Sequence, residues 1–162
     1  MSKQVLVSCE SPSEAPEVYP TYPDWVVKHL TPGLEAKSSS GVKNPGLGWH
    51  EKQEKREAIT GDEIFAFLLP DQEMYQAQWY DPINHCISLA DIQYYEEKYL
   101  HRIPLPLEWE GNWVYAWKSV VLDGRGRRVV PFLCCRGGRP FVVWYNLGSY
   151  WCDYEPAGLS AS

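Results

Sequence analysis

The 162-residue chain has no apolar run approaching the roughly 18 residues of a membrane helix, no CxxC pair, no GxSxG elbow and no strand-loop-helix phosphate loop. The first absence excludes a helical membrane span, and no membrane partner is expected. The second removes the usual local clasp for zinc or a redox dithiol. The third and fourth exclude the nucleophile elbow of the α/β-hydrolases and Walker-type nucleotide binding. The start, Met1-Ser2-Lys3-Gln4, has neither the apolar core of a secretory signal nor the arginine-rich character of a transit peptide, so the expected location is the cytoplasm.

Positive charge is also scarce. There are 15 Lys/Arg against 21 Asp/Glu, a net charge of -6. The deficit lies in residues 1–100, with 8 basic against 16 acidic side chains, whereas residues 101–140 hold 7 basic against 3 acidic. An acidic chain repels phosphate overall, so a nucleic acid would have to meet the later segment locally, through Arg125, Arg127, Arg128, Arg136 and Arg139. The simpler reading of these arginines is that they solubilise hairpin tips.

Five cysteines make an odd count without repeated spacing, which reads as reduced thiols rather than a disulfide framework. Adjacent Cys134 and Cys135 point to opposite faces of a strand and cannot easily clasp one ion. His85-Cys86, His101, Cys135 and Cys152 lack ligand spacing. No metal and no cofactor are expected.

Aromatic residues are abundant: 8 Trp, 11 Tyr and 4 Phe. In residues 1–60 the prolines Pro12, Pro16, Pro20 and Pro23 prevent a helix and favour an extended arm. That arm carries Tyr19, Tyr22, Trp25, Val26 and Val27, which are too apolar to face water unpartnered. Residues 31–48 have linker composition, with four glycines, two prolines and a serine run. A polar helix is expected over roughly Trp49 to Ala58.

The globular part is expected over residues 61–156, followed by a flexible tail at 157–162. Ile64 to Leu69 reads as a short strand, with Tyr75 to Tyr80 as its hairpin partner. The strongest helix begins at Ser88, its N-cap, with Asp91 in capping-box position and Leu89, Ile92, Tyr95 and Tyr99 as the buried stripe. Trp113 to Leu122, Val129 to Cys135 and Phe141 to Leu147 read as a meander turned at Asp123-Gly124-Arg125-Gly126 and Gly137-Gly138. Pro131 suggests that the second of these strands is an edge or carries a bulge. Tyr150 to Tyr154 suggests a fourth short strand. The fold class is therefore α+β: an antiparallel sheet packed on one main helix, preceded by an extended proline-rich arm.

Catalytic constellations fail on spacing or order. Cys86 precedes a helix N-terminus, where a thiolate is favoured, but His85 is its sequence neighbour and poorly placed as a base. Asp62, Glu63, Asp71, Glu73 and Asp81 form an acidic group, yet the Glu-x-Lys pattern of a metal-dependent nuclease occurs only at Glu35-Ala36-Lys37, in the linker. These residues keep a small hydrolase or nuclease as one alternative. The arginine-rich hairpin keeps nucleic-acid binding as another. Trp109, Trp113 and Trp117 are evenly spaced, so on one strand they share a face, with two of the three expected in the core. The leading expectation is a non-catalytic protein-interaction module, an assembly subunit, inhibitor or adaptor. It contacts a protein partner through Tyr19, Tyr22, Trp25, Trp113 and Trp117, because Trp and Tyr bury large areas and keep a polar handle.

Overall fold

The computed structural model describes residues 17–35, 37–69, 82–99 and 102–160. Among them the elements are β1 (Val26–His29), β2 (Pro45–Gly48), α1 (Glu51–Glu54), α2 (Gly61–Leu68), α3 (Leu89–Lys98), β3 (Val114–Tyr115), β4 (Val121–Asp123), β5 (Arg128–Arg136), β6 (Arg139–Asn146) and β7 (Ala157–Ser160). The protein is a mixed α+β fold built on one seven-stranded sheet.

The β5–β6 hairpin, turned at Gly137-Gly138, is the longest ladder. Its residues alternate between two cores, as the twofold period of a strand requires. Val130, Phe132 and Cys134 join Ile64, Phe65 and Leu68 of α2. Leu133 joins Leu89, Ile92 and Tyr95 of α3. The two helices thus cover opposite faces of the sheet.

The free side of β5 is held by two short strands in succession, β4 near its start and β3 further along. They are the expected strand from Trp113 to Leu122, interrupted by a 3-10 turn at Trp117–Ser119. Pro131 lies opposite this interruption. Its carbonyl accepts from Ala116 N at 2.9 Å, and the amide it lacks falls where the partner strand is broken. Pro131 therefore sits in an interior strand whose register with β6 is unbroken, neither the expected edge nor a bulge.

Several further expectations are corrected. Ile64 to Leu69 is not a strand. Thr60 caps α2 by accepting from Glu63 N at 3.3 Å, and Glu63 Oε1 in turn accepts from Thr60 N at 3.2 Å. Gly61, Ile64, Phe65 and Leu68 then fall on one buried stripe, while Phe67 points outward. The sheet is mixed rather than antiparallel, because β7 returns alongside β3 in parallel register, Tyr115 opposite Ala157. Residues 157–160 of the segment expected as a loose tail are this strand, and the expected strand at Tyr150 to Tyr154 is absent apart from a bridge between Thr60 and Tyr150. The sheet also takes in β1 and β2 from the region read as arm and linker; β1 pairs with β4, and β2 with β7. The polar helix near 49–58 is a single turn, α1, capped by His50. In α3 the buried stripe runs through Leu89, Ile92 and Tyr95, with Tyr94 beside it, and leaves Tyr99 exposed. The candidate strand at Tyr75–Tyr80 lies outside the described residues. No described helix is long and apolar enough to cross a membrane.

Candidate partner-binding groove

From Glu17 the arm lies along its own chain. Val18 exchanges main-chain hydrogen bonds with Ser39, both 2.8 Å. Thr21 N donates to Gln93 Oε1 and Thr21 O accepts from Gln93 Nε2, each at 2.8 Å, which fastens the arm to the exposed side of α3. Ser39 Oγ donates to Asp91, and Val42 N donates to the Tyr95 hydroxyl, so the segment read as linker is tied to the same helix. Tyr22 packs edge-on to His29 at 4.5 Å between ring centroids and lies 6.2 Å from Trp144. A turn closed by Val26 N donating to Pro23 O then sets Trp25 just ahead of β1.

Trp25 meets Trp144 of β6 edge-on, with centroids 5.2 Å apart. Beside the pair is a cavity of about 610 Å³ whose walls include Trp25, Asp123, Arg125, Arg127, Trp144 and Tyr145. The hairpin tip between β4 and β5 is organised by one carboxylate. Asp123 accepts from Arg125 N and Arg127 N, both at 2.9 Å, and from Arg127 Nε at 2.8 Å. The amide of Arg127, followed by its guanidinium and the Arg125 amide, holds the Asp123 carboxyl below the ordinary range despite its burial. Gly126, at φ +77°, supplies the left-handed residue that this turn needs. The Arg125 side chain is exposed and has no hydrogen bond or ion pair among the described residues.

The main chain contributes as well. Val142 N points away from β5 and donates to Glu96 Oε2 at 3.0 Å. Leu147 N, five residues on, points towards β5 and donates to Arg128 O. By strand alternation the N–H and C=O of Trp144 face the outer edge of β6, and among the described residues they have no hydrogen-bond partner. Among the described residues the groove thus combines two partly exposed indoles, a guanidinium without a partner and an unpaired rung of sheet edge.

The expected contact residues divide. Tyr22 and Trp25 come together here, and Tyr19 is 65% exposed further along the arm. Trp113 belongs to the opposite face, half-buried and stacked on Phe132 at 4.8 Å. Trp117 is a correction: at 1% exposed and stacked on Phe65, it is core and has no surface to offer. Trp109 is buried too, but beside Tyr95 on the α3 face, so the even spacing does not put the three indoles on one face. Trp144 was missed. Nothing local marks it, because its partner arrives from the arm.

The arginines also divide. Arg136 and Arg139 sit at the far end of the β5–β6 hairpin, about 26 Å from Arg128 at roughly 3.3 Å per residue. Arg128 is occupied by Asp62 and lies over the Phe65 ring. The five do not form one patch. Of the catalytic alternatives, Cys86 is buried and its thiol is pushed up to about 12 by desolvation, the reverse of an activated nucleophile. Asp62 is paired with Arg128, and Glu63 is engaged by Thr60 and Lys52. Asp71, Glu73, Asp81 and His101 lie outside the described residues. No protein-family model, curated protein or solved structure matches the chain.

Proposed function

We propose that the protein is a non-catalytic interaction module that binds a protein partner at the Trp25–Trp144 groove. The observation that carries this reading is the pairing of two partly exposed indoles beside an arginine and a strand edge that have no partner among the described residues. Exposed indoles and arginine are the residue types that dominate binding energy at protein interfaces. Asp123, the one carboxylate among the described residues lining the groove, is committed to three donors, which leaves it poorly suited to acid–base work. Tyr19, and Trp113 on the other face, are accessory at most in this reading.

Native mass spectrometry of the full chain recovered from its own source, as wild type and as Trp25→Ser, tests the proposal. A second polypeptide carried by the wild type and lost from the folded variant supports it. A second polypeptide retained by both moves the contact elsewhere. A bare chain that turns over a substrate makes the protein an enzyme and ends the proposal.

A further inference from the structure

The groove's own chemistry narrows what kind of segment it takes. Its polar donors are of two kinds. One is the exposed Arg125 guanidinium, which needs an anion, with Arg127 beside it holding only its Nε against Asp123. The other is the outward-facing amide of Trp144, which together with the carbonyl of the same residue forms one rung that an added extended strand matches. Edge strands are usually blunted, and β6 is blunted at Val142, where Glu96 accepts the amide, and at Asn146, where the chain turns and Ser149 N takes the carbonyl at 3.0 Å. Between these caps the edge at Trp144 has no partner among the described residues, directly beside the indole pair and the basic hairpin tip.

We infer that the groove receives an extended acidic segment of a partner protein, which adds a short strand to the β6 edge at Trp144 and places a carboxylate on Arg125. This rests on the interaction reading above and names the partner's chemistry. Main-chain pairing supplies affinity that is indifferent to sequence, and the side chains flanking the rung supply selectivity. An apolar side chain on one face of the added strand meets Trp25 and Trp144. An acidic one reaches the guanidinium. A polyphosphate fits less well. Among the described residues only two arginines border the cavity, Asp123 already pairs with Arg127, Arg136 and Arg139 are at the far end of the hairpin, and the chain as a whole is negative.

The test is fluorescence anisotropy of the full chain with labelled octapeptides. In these, glutamate, lysine or serine alternates with valine and tyrosine; an oligothymidine of equal length serves as the nucleic-acid probe. The glutamate peptide is expected to bind roughly five- to tenfold tighter than the serine peptide, with the margin shrinking at higher salt. Arg125→Glu should remove the preference without unfolding the protein. Trp25→Ser should weaken every peptide. N-methylation of the backbone amides should abolish binding if the added strand is real. Equal or better binding of the serine or lysine peptide, still dependent on Trp25, overturns the acidic occupant and leaves the interaction groove standing. Preferential, Arg125-dependent binding of the oligothymidine overturns it in favour of nucleic acid. Binding insensitive to both Trp25→Ser and Arg125→Glu, or none, overturns the inference and the groove together.

Discussion

The phenol of Tyr115 donates a 2.7 Å hydrogen bond to Oε2 of Glu155, a carboxylate only 2% exposed. The other oxygen of Glu155 accepts from Cys152 N at 2.8 Å, and the main chain around it is tied to Gln53. A buried carboxylate survives only when its lone pairs are occupied, so this pair ties α1, β3 and the chain entering β7 together. Tyr115→Phe leaves Oε2 without a donor and is expected to cost about 1–3 kcal/mol in urea unfolding. Burial, then the bond to Glu155, raises the Tyr115 phenol above its ordinary value. A raised folded-state value gives stability that is present below about pH 10 and lost as the phenol ionises above it. The alkaline limb of the stability curve should therefore be shallower in Tyr115→Phe. An unchanged limb would show that other tyrosines control it.

Gly158 is where β7 slides beneath the α3 face. A Cβ there would lie 2.4 Å from Ile87 Cδ1 and 2.7 Å from Val114 Cγ1. Gly158→Ala should destabilise by about 1–3 kcal/mol through overpacking. Ile87→Val removes the closest atom, so the double variant should recover part of the loss. Urea midpoints of the four proteins in the cycle decide it, and strict additivity would contradict the packing.

What could be read from the sequence follows how local each determinant is. Ser88 with Asp91, and the Asp123–Gly126 turn, are settled within a few residues, and the structure keeps both. Thr60 with Glu63 is just as local, yet the short apolar run after it fits helix and strand equally, and the capping pair was the signal that should have decided between them. Pro131 misleads because its tolerance depends on a break in a neighbouring strand. Ala157 and Gly158 resemble a loose tail, but Ala157 joins the α2-side core, and the missing side chain of Gly158 is what lets β7 pass under Ile87 and Val114. For the groove, the arm's indole and the hairpin's arginines were visible as types. Their meeting at Trp144 depends on the path of the arm over α3, which no short window contains.

Thiol accessibility separates the cysteines. Cys86 and Cys134 are buried, whereas Cys135 and Cys152 are exposed. In peptide-mapped iodoacetamide labelling near pH 8, Cys135 and Cys152 should be modified in the folded protein. Cys86, its thiol pushed up to about 12, should react only on unfolding. Rapid labelling of Cys86 in the native state would mean that the loop before α3 opens readily, and would reopen the nucleophile alternative.

Asp123 gives an acid-side signature at the groove itself. Its carboxyl is held low mainly by the Arg127 amide, so its contribution is present above the ordinary carboxylate value near 3.9 and is lost as pH falls through the lower folded value. The Arg125 and Arg127 amides both donate to it, which makes them direct reporters. In a pH series of amide correlation spectra, both resonances should move together with a midpoint below the ordinary range. Asp123→Asn should abolish that step, because its side chain stays neutral across the series. It also replaces a charged acceptor with a weaker neutral one, so Arg127 should be held less firmly and the hairpin tip should exchange its amides faster. If the two amides titrate separately, or with an ordinary midpoint, the single-carboxylate organisation of the tip is wrong, and with it the account of how the Arg125 main chain is held.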